Sequence, residues 1–253
     1  MKFHAGMLRA TAVMLALPLA FTAAHAADKK DQAKAAAVQK VDSGTFGVFV
    51  KGQRVATETF DIQQQNSASS INSQLKQVGG SDPVSQKSDL QITSNGALIR
   101  YDWSQSSGGS LTVLPNNEFL IEKISTATSS KPAEQPFLMP NTSVILDNNF
   151  FIHREVLIWR YLAANCKPEN GNMKCKQEPG EFGVLVPQDR ASLRIRIDLV
   201  GEEKITIRGT ERNLLRLNLK SDDYDWALWV DGHDQYKLMR VAIPADNTEV
   251  VRD

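Results

Sequence analysis

Apolar and polar residues alternate along most of this chain, and the alternation breaks down over one long stretch. Residues 45–50 are strand-like and run into Lys51-Gly52, a tight-turn signal. Residues 55–62 alternate on the far side with Phe60 and Ile62 on one face, which predicts a first hairpin. The same period-two pattern predicts strands over 69–78, 85–93, 97–104, 110–114 and 118–125. Gly79 to Pro83, Asn95-Gly96, Gly108-Gly109 and Pro115 to Asn117 separate them. Residues 126–140 lose periodicity, carry three prolines and read as a loop. Strands resume over 183–186, 192–200, 203–208, 211–219, 226–230, 236–243 and 249–252, with Gly201, Gly209, Asp222-Asp223 and Asp231-Gly232 marking their ends.

The exception spans residues 147–162. Phe150, Phe151, Leu157, Tyr161 and Leu162 return at three- and four-residue intervals, with Ile158 beside them, as the apolar stripe of a helix would. Asp147 is placed to act as its N-cap. Such a helix would be about 24 Å long, with strands before and after it. About a dozen short-turned strands argue for an antiparallel meander, and an open sheet that wide curls or closes. The expected fold is therefore mainly β: a strongly curved antiparallel sheet or partial β-barrel, with one central helix packed on the concave side.

Composition adds a compartment. Residues 1–26 read as a signal peptide: Lys2 and Arg9 at the start, an apolar run from Ala10 to Phe21, and Ala24-His25-Ala26 as the cleavage signal. That run is shorter than a membrane-spanning helix, and no later stretch reaches the required length, so the expectation is an exported, periplasmic, soluble chain that does not span the membrane. Residues 27–43 are expected to form a flexible tether and 44–253 a single β-barrel-like domain. Losing Lys2 and Arg9 from 29 basic residues leaves 27 against 29 acidic ones. Charges of both signs are interspersed, which argues against nucleic acid as a partner. Cys166 and Cys175 are the only cysteines. In an oxidising compartment they read as a disulfide around the Asn170-Gly171 turn, since two thiols do not make a zinc site.

Candidate chemistry is sparse. No Gly-x-Ser-x-Gly elbow is present, and the mature chain offers only His153 and His233 as imidazoles. His153, early on the helix, reads as a surface or partly buried residue, with a general base as the alternative. His233, in Asp231-Gly232-His233-Asp234, sits in a hairpin turn near other carboxylates, but the spacing fits no calcium loop. No metal, cofactor or catalytic group is assigned. Trp226 and Trp229, three apart on one strand, should face opposite sides of the sheet. The space between helix and sheet is the expected binding site for an apolar or amphipathic, lipid-like molecule, lined by Phe150, Phe151, Trp159, Phe182 and Trp226. An envelope protein is the other expected partner. A hydrolase acting through carboxylates and a histidine, or a purely structural role, are the alternatives.

The run Gly44-Thr45-Phe46-Gly47-Val48-Phe49-Val50-Lys51-Gly52 with Glu58-Thr59-Phe60, the stretch Leu146 to Phe151, and the ending Val250-Val251-Arg252 resemble a group of uncharacterised exported bacterial proteins. These are similar in plan to the Lol-type lipoprotein carriers. That resemblance implies a half-open barrel able to hold acyl chains, although this chain has one helix where the carriers have several covering helices. It carries over no catalytic residue.

Overall fold

The computed structural model describes residues 37–79, 83–128, 131–169, 172–176, 178–222 and 224–253. The expected leader, residues 27–36 of the expected tether, and the Asn170-Gly171 turn lie outside them. The first half of the sheet comprises β1 (Gln39–Val50), β2 (Gln53–Gln65), β3 (Ala68–Gln77), β4 (Ser85–Thr93), β5 (Leu98–Gln105), β6 (Ser110–Asn116), β7 (Phe119–Ser125) and β8 (Ala133–Leu138). Then come β9 (Val144–Ile145), the helix α1 (Ile152–Asn165), and a separate hairpin of β10 (Cys166–Glu169) and β11 (Asn172–Cys175). The second half is β12 (Gly180–Val186), β13 (Ala191–Ile207), β14 (Thr210–Lys220), β15 (Asp225–Asp231), β16 (Lys237–Ile243) and β17 (Thr248–Arg252).

Fifteen strands form one sheet in the order β8 through β1, then β17 through β12, with β9 last. Each half is a meander of sequential antiparallel strands, as the spacing of turns predicts. The halves are joined where β1 pairs with β17, from Phe46 opposite Arg252 to Val50 opposite Thr248. β9 adds to β12 in parallel. The two sheet edges, β8 and β9, are separated in sequence only by residues 139–143. Laid flat, fifteen strands would span roughly 67 Å, whereas the six chain steps from Leu138 to Val144 reach at most about 22 Å. The sheet therefore has to curl until its edges approach. β8 and β9 do not pair, so the wall is a half-open barrel.

Local chemistry explains most of the elements. Lys51 (φ 49°) and Gly52 (φ 79°) close the β1–β2 hairpin with both central residues left-handed, the geometry that matches strand twist. On β2, Ala56, Glu58, Phe60 and Ile62 point inward and are buried. One core cluster joins the inward residues of both halves to α1. All seven residues from Ile152 to Ile158 are buried, followed by Tyr161 and Leu162, so the first two turns of the helix are enclosed on every side. Each fully buried Leu, Ile or Phe there contributes about 1.5–3 kcal/mol. Trp226 joins this core. Trp229 packs outside with Ile207, Leu214, Met239 and Val251, on the opposite face of the strand as expected.

Five expectations need correction. α1 begins at Ile152 and not at Asp147, because the Asp147 carboxylate accepts the Asn149 N–H (2.7 Å) and leaves the cap to another residue. β1 begins at Gln39, so the last residues of the expected tether belong to the sheet. Residues 133–138, expected as loop, form β8. Its Pro136 is tolerated because an edge strand has an unpaired side. Residues 192–200 and 203–208, expected as two strands, fall in one long strand, β13, except for Arg208, which belongs to the Arg208-Gly209 turn that follows. Gly201 (φ 140°) is a bulge inside β13, not its end. Finally, His153 is completely buried and not on the helix surface. The disulfide is as expected: Cys166 and Cys175 are bonded across β10 and β11, contributing about 2–3 kcal/mol by restricting the unfolded chain.

Candidate functional site

The helix enters the barrel through a polar cluster. Glu58, inward-facing on β2, accepts the N–H groups of Phe151 (2.7 Å) and Ile152 (3.3 Å), so a strand residue supplies the cap that the helix's own sequence lacks. Ser73 on β3 donates its hydroxyl to the same carboxylate at 2.7 Å. Burial pushes the Glu58 carboxyl up to about 7, against the pull of Ser73, the two N–H groups and nearby Arg154. Asp147 is also buried; Tyr101 and Gln188 donate to it, bridging β5 and the β12–β13 connection. Its pKa is raised by burial despite those bonds.

Three consecutive ionisable residues follow on the helix, each fully buried. His153 Nδ1 accepts the Asp147 N–H at 3.3 Å, and burial, aided by Arg154, drives its pKa down to about 3. It is neutral at physiological pH, with Nδ1 as the acceptor and its one proton on Nε2. Arg154 donates to the carbonyls of Asp147 and Phe150, and its guanidinium lies over the rings of Phe151 (5.2 Å) and Trp226 (4.6 Å). Burial lowers its pKa to about 10, which leaves it charged. Glu155 accepts the Leu238 N–H (2.7 Å) and Arg252 (3.3 Å), while burial and neighbouring Asp42 hold its carboxyl well above the usual range.

The five residues expected to line an apolar site do not line the trough or the two clefts described below. Phe150, Phe151 and Trp226 are packed in the core, the latter two against Arg154. Half-buried Trp159 donates its indole N–H to the Gln235 carbonyl (3.0 Å), and Phe182 packs half-buried at the margin of the core. Nor do the two imidazoles meet: His153 is enclosed, whereas His233 lies on the β15–β16 turn, its N–H donated to Asp231 (3.0 Å).

Sequence reasoning missed Glu58 and Glu122, although both leave a signal. Glu58 interrupts the apolar inward row between Ala56 and Phe60; Glu122 does so between Leu120 and Ile124 on β7. Burial raises the Glu122 carboxyl to about 7, moderated by Arg190.

An open polar surface lies elsewhere. A trough of about 590 Å³ crosses β2 to β6. In register, Asp61, Asn72, Asp89, Asp102 and Thr112 form one cross-strand row, on the face opposite the buried Phe60 and Leu90. Thr59, Gln74, Lys87, Ser104 and Ser110 form a second row two residues away along the strands. Neighbours two positions along the strand hold the carboxylates in place: Gln63 donates to Asp61 (2.6 Å), Gln91 to Asp89 (3.1 Å), and Arg100 to Asp102. Among the described residues no group of His, Cys, Asp and Glu has the arrangement of a metal site. No family model, curated protein or solved structure matches the chain, so these sites are read from their own chemistry.

Proposed function

We propose that the chain is a non-enzymatic exported binding protein whose trough on β2–β6 holds an extended, uncharged polyhydroxy ligand, a glycan strand. The observation that carries this reading is the pair of polar rows in register across five strands, a track roughly 19 Å long. Its planar carboxylate and amide groups are pre-set by their strand neighbours, which lowers the ordering cost of binding. A row dominated by acceptors suits hydroxyl donors and repels polyanions. The leader-like start and the disulfide support a periplasmic location. The test is binding to neutral oligosaccharides by titration calorimetry, with Asn72→Ala and Asp89→Ala compared. Saturable binding weakened about tenfold in each variant is expected; a wild-type chain that binds no neutral glycan refutes the proposal.

One observation favours a second, amphipathic ligand of the kind the Lol-like plan suggests. Leu138 (73 % exposed) faces Phe119 (40 % exposed) across β7 and β8, at the unpaired edge of the barrel and beside a cleft of about 290 Å³. Co-purified lipid seen by native mass spectrometry and lost on Leu138→Ser would support it. A clean spectrum would count against it.

A further inference from the structure

A second cleft, of about 430 Å³, has a lining distinct from that of the trough, although its Ser43 lies opposite the trough's Asp61 across β1 and β2. The tip of the β13–β14 hairpin, the start of β1, the β15–β16 turn, β16 and the last two residues form its walls. Its lining is charge-balanced, with Arg208, Arg212, Lys237 and Arg252 against Asp42, Asp231, Asp234 and Asp253. Most of these charges are already matched. In the floor, where Asp42 and Arg252 are nearly enclosed, Arg252 Nη2 donates to both Asp42 oxygens at 2.7 Å and its Nη1 reaches Glu155 at 3.3 Å. Lys237 bridges Asp234 (2.9 Å) and Asp42 (3.7 Å). Asp253 is taken by Arg54 and Arg208.

Two groups in the lining are left over, one of each sign. Arg212 has no acidic partner among the described residues, and the Asp231 carboxylate accepts only the His233 N–H (3.0 Å) and has no cationic partner there. A simple anion entering the cleft meets four carboxylates, and a simple cation meets four bases. A ligand that carries both charges a few bonds apart avoids both penalties. We infer that this cleft binds a small zwitterion, with its oxyanion on Arg212 and its ammonium on Asp231. Free amino acids and the amine-phosphate headgroup of a lipid share that chemistry. The paired floor of Asp42, Arg252 and Glu155 fixes the cleft's shape, tying it to α1.

The experiment titrates the full chain with L-alanine and with O-phosphoethanolamine, followed by NMR shifts. Acetate and ethylammonium serve as single-charge controls. Saturable shifts at residues 212 and 231 are expected from a zwitterion, with each control at least about tenfold weaker. Arg212→Gln and Asp231→Asn should each weaken binding about tenfold with the melting temperature unchanged, since Arg212 is exposed and Asp231 half-buried. Acetate binding as tightly, full binding by either variant, or no saturable shift would overturn the inference. Phosphatidylglycerol vesicles with and without phosphatidylethanolamine identify the source. Co-sedimentation that needs the amine lipid and Arg212 assigns a headgroup, and binding of the free zwitterions alone assigns a soluble ligand. Asn72→Ala, which tests the trough, should leave this binding intact, so the two readings fail separately.

Discussion

Replacing Glu58 tests whether a strand residue anchors the central helix. Its carboxylate serves three buried donors: the N–H groups of Phe151 and Ile152 and the Ser73 hydroxyl. Glu58→Ala strands all three in a buried interior. At about 1–3 kcal/mol for each orphaned donor, partly offset by removing a buried acid, the expected loss is about 3–5 kcal/mol. Glu58→Gln keeps one acceptor oxygen in the same volume and should cost about 1–2 kcal/mol near neutral pH. The pH dependence is more specific. The native carboxyl titrates near 7 against an unfolded value of 4.5, so between those pH values the folded chain holds a proton that the unfolded chain has released. That contribution is complete below pH 4.5 and is lost as pH rises through 7, a fall of about 3 kcal/mol at 1.36 kcal/mol per pKa unit. Glu58→Gln removes the titration. Urea denaturation of both proteins between pH 4.5 and 8 should show the wild-type advantage over the Gln variant shrinking by about that amount. The other buried acids titrate in both proteins and cancel. A difference constant across the range would refute the reasoning.

His153 should act in the opposite direction. Its native pKa near 3 lies below the unfolded 6.5, so stability falls as pH drops from 6.5 toward 3, by up to about 5 kcal/mol; His153→Asn should flatten that acid limb in urea titrations carried down to pH 3. Reducing the Cys166–Cys175 bond should lower stability by about 2–3 kcal/mol and the melting temperature by roughly 5–10 °C, read by calorimetry with and without reductant. Gly201 at φ 140° occupies backbone that side chains rarely adopt, so Gly201→Ala should cost about 1–3 kcal/mol by denaturant melt.

The strands were legible because inward and outward residues alternate, and the turn positions because Lys51-Gly52 and Asn95-Gly96 announce themselves locally. β8 was hidden because an edge strand tolerates Pro136, and the unbroken β13 because a glycine bulge and a glycine turn look alike in sequence. The helix was visible in its apolar spacing, but its true start was not. Asp147 has the right chemistry for a cap, and only the folded chain shows that Glu58, 93 residues before Phe151, performs that role. The surroundings of Phe151 and Trp226 were hidden for a related reason: only the folded chain shows that the Arg154 guanidinium lies over both rings. The trough's rows could not be read because register across strands is not encoded in any one strand.

The junction of β1 with β17 makes continuity of the wall depend on one short strand, Thr248–Arg252. Without it, each meander ends in a bare strand with unpaired amides. A chain lacking β17 should therefore have two sticky borders instead of one seam, and should aggregate before it unfolds in any simple sense.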